Sequence, residues 1–435
     1  MAWSVAITGE LRELTPTAST SRNMTTQPPP HPDHIFDREL IDESLDRLAN
    51  SYRPRTQPVP ESPSLMLPDS LPETGIGDSA ALDTLAPAVL DTSAQLHHPG
   101  YFAHMDPPTP AITWAASLWQ VATNQNLLHP DAGPAARSLT EQVVNWLSPS
   151  FGMSGGHFVP GSTIANLTAL WAARQLKQVT RIAASDKSHL SIRKSAEILG
   201  LEYIALPTNP RHEMDISGLT QLDRTALVLT AGTVATGTID PLIWPDEIAW
   251  VHVDAAWTGP LRLTDRFASC LAGIDAADSV GFSAHKWLYQ PKGSALVLFR
   301  NSDAAHDALS YGGGYLATPN IGLLGSTPAA AVPLAAMLLS WGREGLVQRI
   351  ESDMAKADQL AQLIESDPRF LLWGPNQTGV VVWRPVDAEP SDVRNRLENG
   401  WVSLTEVDGQ TWFRSVAANP SADPSYLFDQ VGAAL

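Results

Sequence analysis

The sequence is poor in cysteine, in basic residues and in long apolar runs, and each shortage excludes a class of protein. Its single cysteine, Cys270, excludes an intrachain disulfide framework and a thiolate metal cluster, so no metal is expected. Lysine and arginine number 28 against 46 acidic residues, and the resulting net charge of −18 argues against a nucleic-acid or anionic-membrane partner. Without an 18-residue apolar run or a signal-peptide pattern, the sequence predicts a soluble cytoplasmic protein that acts on small molecules.

Four regions follow from shifts in composition along the 435 residues. Residues 1–34 are rich in Thr, Ser and Pro, and this composition predicts a disordered leader. Residues 35–95 combine a helical pattern at Phe36–Leu48 with a proline-rich stretch at 53–72, which is typical of an arm that packs on a partner. We expect a large domain over 96–327 and a smaller α+β domain over 328–435, which begins with a long Ala/Leu-rich helix.

Short apolar stretches alternate with helical patterns through the large domain, which predicts a mostly parallel sheet with helices on both faces. The predicted strands are 181–184, 201–205, 225–230, 250–253, 279–282 and 294–299, and two more, 379–383 and 411–414, are expected in the smaller domain.

The predicted strand at 250–253 leads into Asp254, which is followed by the small residues Ala255 and Ala256. Ligands of open α/β sheets bind at the carboxyl ends of strands. A carboxylate there can hold a ring nitrogen protonated, and Ala256 leaves room for a flat ring against the backbone. Because Asp is also a favoured helix N-cap, this stretch alone leaves both interpretations open.

The predicted strand at 279–282 leads into Ser-Ala-His-Lys-Trp, which places Lys286 among apolar and aromatic neighbours. A lysine that is desolvated by apolar groups has a lowered pKa and becomes a Schiff-base nucleophile. A surface lysine lying over Trp287 is the alternative. The two strand ends together favour a cofactor site, since Asp254 can charge a pyridine ring while Lys286 bonds its aldehyde carbon.

These two segments resemble the group II pyridoxal-dependent decarboxylases, the family of aromatic amino-acid, glutamate and 2,4-diaminobutyrate decarboxylases. The resemblance extends over residues 96–420. It implies an α/β fold of PLP-dependent transferase type I, pyridoxal 5′-phosphate as the cofactor, and a homodimer with its active sites at the interface. It also implies that Lys286 carries the cofactor and that Asp254 contacts its ring nitrogen.

The family's phosphate-binding turn has a counterpart in Gly156–Leu167, a glycine-rich turn that opens a helix. There the resemblance implies that Ser162 and Thr163 cradle the phosphate with backbone N–H groups and hydroxyls. It extends the cofactor contacts to Ser283 and His285, which precede Lys286.

Two further segments follow in the family's order. The Ser-Asp-x-x-His-x-Ser pattern at 185–191 contains His189, for which the resemblance implies stacking on the pyridine face. The Ala-Gly-Thr segment at 231–233 contains Thr233, which is expected near the phenolic oxygen of the cofactor.

Substrate contacts are implied at both ends of the matching region. The segment His-Pro-Gly-Tyr-Phe resembles the family's entry segment and makes His98 and Tyr101 candidates. The segment at 413–420 resembles the Phe-Arg-x-Val-x-x-Asn-Pro of the glutamate decarboxylase branch, in which the arginine grips a substrate carboxylate, so Arg414 is a third candidate. A surface salt bridge is the alternative role for this arginine.

The sequence departs from the family pattern in three places, one of which is the absence after Gly325 of an arginine that is common in relatives. Pro160 and Ile164 replace a Ser and a Glu common in the phosphate turn. The segment 304–327 is shorter than the family's mobile loop, which supplies a tyrosine as proton donor, and it leaves Tyr311 and Tyr315 as nearby tyrosines, with Tyr315 the candidate.

The reaction that these segments predict is decarboxylation of an L-amino acid to the amine and CO₂ through a Schiff base at Lys286. Two alternatives stay open. One is another reaction on the same cofactor, either transamination or decarboxylation coupled to oxidative deamination. The other is a homologue that binds the cofactor without turnover.

Overall fold

The computed structural model describes residues 34–60 and 67–435. Residues 1–33 of the predicted leader and residues 61–66 of the proline-rich stretch lie outside the described residues.

The described helices and strands follow the alternation that the sequence predicts. The helices are α1 (Arg38–Ser51), α2 (Asp78–Ala86), α3 (Ala111–Thr123), α4 (Pro134–Leu147), α5 (Ser162–Lys177), α6 (Leu190–Leu199), α7 (Ser302–Ala308), α8 (Ala331–Ser366), α9 (Pro390–Asn395) and α10 (Pro424–Ala433). The strands are β1 (Gly155–Val159), β2 (Arg181–Ser185), β3 (Glu202–Leu206), β4 (Thr225–Thr230), β5 (Trp250–Asp254), β6 (Ser279–Phe282), β7 (Ala295–Phe299), β8 (Ser310–Tyr311), β9 (Asn320–Ile321), β10 (Phe370–Leu372), β11 (Val380–Pro385), β12 (Ser403–Val407) and β13 (Gln410–Val416).

Seven strands form the central sheet in the order β1-β7-β6-β5-β4-β2-β3. Strands β2 to β6 run parallel, and β7 is antiparallel to both of its neighbours. The predicted mostly parallel α/β sheet is therefore confirmed. The sequence did not predict β1, because Gly155 and Gly156 are unfavourable in strands and because residues 156–159 fall in the segment assigned to the phosphate turn.

Both faces of the sheet are covered, which explains why a strand such as β7 is a continuous apolar run and is buried at every residue. One face packs against α4 and the first half of α8, through Val143, Leu147 and Leu334. The other face packs against α5 and α6, through Leu170 and Ile192.

The C-terminal region forms a second sheet in the order β10-β11-β13-β12. Its core includes Trp383, Phe413 and Leu427 and packs against the C-terminal half of α8. The predicted long helix after 328 is confirmed as α8, with an internal break at Gly342, where φ is 62° and glycine is favoured. The domain limits drawn from the sequence stay predictions.

The N-terminal helices lie apart from these cores. Neither α1 nor α2 has a buried residue. They are joined by Arg47, which lies 2.7 Å from Asp83 and 3.3 Å from Glu43. In the described part of the chain, no helix is long and apolar enough to cross a membrane.

The sheet brings the predicted site segments to one edge. Strands β1, β2, β4, β5 and β6 end there, and β7 begins there, because it alone runs in the opposite direction. The residues that follow these strand ends therefore face a common space, as expected for ligand sites in α/β sheets.

Candidate active site

A pocket of about 250 Å³ opens at this edge of the sheet. Its walls include the predicted cofactor residues Ser162, Thr163, His189, Asp254, Ala256, Ser283, His285 and Lys286. Residues without a predicted role complete it: Met105, Gly161, Thr230, Gly232 and Val234. The fold thus brings together side chains that are far apart in the sequence.

Asp254 is the last residue of β5 and is 3% exposed. Its two carboxylate oxygens accept hydrogen bonds from different donors. The Asn166 side-chain amide donates to Oδ2 at 2.8 Å, and the backbone N–H of Ala256 donates to Oδ1 at 3.1 Å. Two such bonds to a buried carboxylate fix its orientation at the pocket wall.

His189 is the N-cap residue of α6, and its Nδ1 accepts the backbone N–H of Ser191 at 3.2 Å. The Ser191 hydroxyl lies 2.8 Å from the same ring nitrogen. Burial lowers the pKa of His189, and the nearby Asp254 carboxylate opposes that effect. The geometry therefore favours a neutral imidazole with its proton on Nε2.

Lys286 lies in the turn after β6, with Nζ 3.9 Å from the sulfur of Met105. Burial lowers the pKa of Lys286, and the carboxylates of Asp254 and Asp106 oppose it. A lowered pKa increases the fraction of the neutral amine, which is the form that attacks an aldehyde.

Polar donors line the opposite part of the pocket. Helix α5 begins at Ser162, and the first N–H groups of a helix have no intrahelical acceptor and favour an anion. The hydroxyls of Ser162 and Ser283 contact each other there. His285 Nδ1 lies 2.9 Å from the carbonyl oxygen of Ser294, to which it donates.

The His285 ring is held neutral, because burial, together with the charges of Lys292 and Lys286, lowers its pKa to about 4. With the proton on Nδ1, its Nε2 carries a lone pair. A donor role for this ring toward a phosphate therefore needs a second proton.

These residues fit pyridoxal phosphate. Helix-terminal N–H groups and hydroxyls suit a phosphate, Asp254 suits a ring nitrogen, and Lys286 in the same pocket suits an aldehyde carbon. Ala256 in the wall presents only a methyl group to a flat ring.

Two predicted residues lie just outside the pocket lining. The Thr233 hydroxyl is buried and lies 2.9 Å from the Thr236 hydroxyl within its own turn, although the neighbouring Gly232 and Val234 line the pocket. Arg414 on β13 donates from Nη1 to the carbonyl oxygen of Val234 at 2.9 Å.

The other substrate candidates lie where the N-terminal segment meets the C-terminal domain. His98 is 7% exposed; its Nδ1 accepts the Gly100 N–H, and its carbonyl oxygen accepts the Asn419 amide at 2.8 Å. Tyr101 is 4% exposed and pairs with Trp401 in an isolated β-bridge. Burial raises the pKa of its hydroxyl. Neither side chain lines the pocket, so their substrate roles stay predictions.

Tyr315 does not line the pocket either. It is 75% exposed, and its ring meets the edge of His129 at 6.5 Å. Tyr311 lies on the short strand β8 and stacks on Trp171 at 5.9 Å. Contact of either tyrosine with a bound substrate needs movement of its loop or a second subunit.

Sequence reasoning assigned no role to Asn166, Ser191 or Met105. Asn166 could have been noticed, because a buried asparagine inside an Ala/Leu-rich helix is unfavourable without partners, and it follows Ser162 by one helical turn. Met105 carried no such signal, because its position depends on how the chain returns to the sheet edge.

The sequence profile of the pyridoxal-dependent decarboxylase conserved domain matches residues 67–386, which is more than half of the chain. The chain therefore belongs to the pyridoxal-dependent decarboxylase family, as the resemblance predicted. It is a pyridoxal-phosphate-dependent carboxy-lyase of amino acids.

Proteins with similar sequences support the same family. The L-2,4-diaminobutyrate decarboxylase of Rhizobium meliloti (strain 1021) is 29% identical over 415 residues, covering 84% of this chain and 83% of that protein. The aromatic-L-amino-acid decarboxylase of Bacillus atrophaeus is 26% identical over 403 residues, covering 81% and 84%. The crystal structure of Oryza sativa TDC with PLP and tryptamine shares the fold at a TM-score of 0.82 and 20% identity, over 94% of this chain and 99% of that one.

Within the described ranges, no group of three or more His, Cys, Asp or Glu side chains could hold a metal ion.

Proposed function

We propose that Lys286 carries the cofactor, that Asp254 contacts its ring nitrogen and that His189 lies against its ring. Ser162, Thr163 and the N-terminus of α5 then hold the phosphate. The observation that supports this assignment best is that Asp254 and Lys286 share one pocket of about 250 Å³, in which Asp254 is fixed by two hydrogen bonds.

Bound pyridoxal phosphate supplies the electron sink for the bond that breaks at Cα. The residues of this chain supply orientation and proton placement. The Asp254 carboxylate, desolvated and already satisfied by two donors, keeps a proton on the ring nitrogen. Burial makes the Lys286 amine more neutral, and this is the form that would hold the cofactor through its aldehyde carbon.

Arg414 is proposed to bind a substrate carboxylate. Its Nη1 and Nη2 reach the carbonyl oxygens of Val234 and Ala103 at 2.9 and 3.4 Å, and its buried Nε has no hydrogen-bond partner. Burial lowers the pKa of this guanidinium, while Asp106 opposes the effect. A desolvated guanidinium with unused donor capacity favours an acidic or α-carboxylate group.

Tyr315 is the proposed proton donor to Cα. The supporting observation is its 75% exposure, with the His129 ring at 6.5 Å as its one aromatic contact among the described residues. His98 and Tyr101 are proposed to position the substrate from the N-terminal segment, and Thr233 to contact the cofactor's phenolic oxygen.

The proposed assembly is a homodimer. Helices α1 and α2 bury no residue within the chain, and α3 exposes Trp119 (69%) and Val121 (76%), so this face suits a second copy. A recess of about 670 Å³, lined partly by β1 and residues 319–328, is open beside the pocket. Sedimentation of the purified protein tests this, and a monomeric active enzyme would contradict it. A cytoplasmic location is proposed from the single, exposed Cys270.

The amino-acid substrate is tested with a panel of L-amino acids that includes aspartate, glutamate, 2,4-diaminobutyrate and the aromatic residues. Release of CO₂ is measured together with product analysis. An amine with one CO₂ per turnover supports decarboxylation. A keto acid or an aldehyde as the main product would point to one of the two alternative reactions instead.

A further inference from the structure

A series of buried hydrogen bonds runs behind the pocket, from β5 and β6 to helix α5. Trp250 Nε1 lies 3.0 Å from the Ser279 hydroxyl, and the same hydroxyl lies 2.9 Å from His252 Nδ1. On the other side of the ring, His252 Nε2 lies 3.0 Å from Asn166 Oδ1. Ser279, His252 and Asn166 are each 0% exposed, so solvent cannot replace any of these partners.

The direction of these bonds is set by the groups at the two ends of the series, an indole N–H that only donates and the Asp254 carboxylate, which only accepts. An indole N–H only donates, so Ser279 accepts from Trp250 and can turn its own hydrogen toward His252 Nδ1. The proton of His252 then lies on Nε2, where the Asn166 carbonyl oxygen accepts it. Burial supports a neutral ring, because it lowers the pKa of His252 to about 4.

His252 in turn fixes the side-chain amide of Asn166. If the amide flipped, its NH₂ group would face the His252 N–H, and its oxygen would face the Asp254 carboxylate. In the observed orientation, one amide hydrogen points to Asp254 Oδ2 at 2.8 Å and the other to the Ser191 hydroxyl at 2.9 Å. Gly281 leaves room for this contact, since a Cβ there would lie 3.2 Å from Asn166 Oδ1.

A second set of hydrogen bonds leads from Asn166 through Ser191 to His189. Because the Ser191 oxygen accepts from Asn166, its hydrogen is directed to His189 Nδ1 at 2.8 Å. A single amide therefore contacts both the carboxylate and, through one hydroxyl, the imidazole at the pocket wall.

We propose that Asn166, with its orientation set by His252, is a positioning residue that orients Asp254 and His189 together for the cofactor. The inference rests on the proposed function, because it requires pyridoxal phosphate to bind against these two side chains.

The test uses variants at position 166 and pyridoxal phosphate as the ligand of the apoprotein. Asn166→Leu removes the donor. Asn166→Asp keeps the shape but donates to Asp254 only when protonated. Thr168→Val is the matched control, since Thr168 is buried on the same helix and its hydroxyl has no hydrogen-bond partner. Thermal unfolding of each apoprotein shows whether it is folded.

The titratable groups around position 166 are Asp254 and His252 by direct contact, and His189 through Ser191. Lys286 acts on Asp254 from the pocket side. The dissociation constant of pyridoxal phosphate is therefore measured across pH for wild type and every variant. In the ratio of variant to wild type, the titration of these shared groups cancels.

We expect Asn166→Leu to bind pyridoxal phosphate on the order of tenfold to a hundredfold more weakly than wild type at every pH. Asn166→Asp should approach wild type at low pH and weaken as pH rises, and Thr168→Val should match wild type throughout. Wild-type affinity in Asn166→Leu, or an affinity of Asn166→Asp relative to wild type that does not change with pH, would overturn the proposal. If Asn166→Leu does not fold, the pH dependence of Asn166→Asp decides alone.

A second readout is independent of the cofactor. The ¹⁵N shifts of the imidazoles in the wild-type apoprotein should show His252 neutral and protonated on Nε2. A charged ring, or a proton on Nδ1, would overturn the proposed direction of the bonds. Failure of wild type to bind pyridoxal phosphate would instead refute the proposed function, so the two failures are distinguishable.

Discussion

Replacing Asp254 by asparagine should cost both stability and turnover, for reasons visible in its surroundings. The two carboxylate oxygens accept from Asn166 Nδ2 and from the Ala256 N–H. An amide at position 254 has only one acceptor, so its NH₂ group must face one of these donors. Because Asp254 is 3% exposed, water cannot relieve that conflict.

An unpaired buried donor costs about 1–3 kcal/mol, which we expect as a loss in the free energy of unfolding of the Asp254→Asn apoprotein. The loss of the negative charge should also reduce kcat by about two to three orders of magnitude, the scale for removing one preorganised electrostatic contact. Urea unfolding measures the first effect, and turnover at saturating pyridoxal phosphate measures the second.

Asp240→Asn is the matched control. Asp240 is also buried and accepts two backbone N–H groups, from Met214 and Thr230, at 2.8 Å each. This variant should lose comparable stability but keep most turnover at a temperature where both variants are folded. Near-normal turnover by Asp254→Asn with the cofactor bound would refute the role of this carboxylate.

Three further predictions concern other residues. Arg414→Lys should raise KM on the order of tenfold or more with little change in cofactor affinity, because a point charge cannot reproduce a planar fork; unchanged kinetics across an amino-acid panel would make the arginine structural. Burial lowers the pKa of His252 from 6.5 to about 4, so the free energy of unfolding should fall by about 3 kcal/mol as pH drops from 6.5 to 4. A pH-independent difference in unfolding free energy between wild type and His252→Gln would contradict this. Tyr315→Phe should lower kcat by about a hundredfold at unchanged KM if this hydroxyl returns the proton, whereas Tyr311→Phe should not.

Most strands of the central sheet were predictable because burial on both faces favours continuous apolar runs in the sequence. Residues 226–229 form an uninterrupted apolar run, and the strand predicted over 225–230 is β4 with the same bounds. Strand β1 was not predicted, since it owes its place to five cross-strand pairs with β7 rather than to its own composition. Local propensity carries no information about such long-range pairing.

The residues of the candidate site also differ in whether the sequence predicts them. Asp254 and Lys286 were predictable because both follow apolar strands, where ligand sites form in this fold class. The contact between Asn166 and His252 was not, because it depends on α5 packing against β5 and β6 at one register. The position of a loop residue such as Tyr315 depends on long-range packing, which no local pattern describes.

The claim that Lys286 holds pyridoxal phosphate is tested most directly by reducing the wild-type protein with borohydride in the presence of the cofactor and mapping the modified peptide. The account predicts a yellow protein that loses its colour on reduction and carries the label on Lys286. Lys292, which pairs with Asp106 close by, is the internal control and should stay unmodified. A label on Lys292 or any other lysine, or a colourless protein after incubation with pyridoxal phosphate, would contradict the assignment of this pocket as the active site.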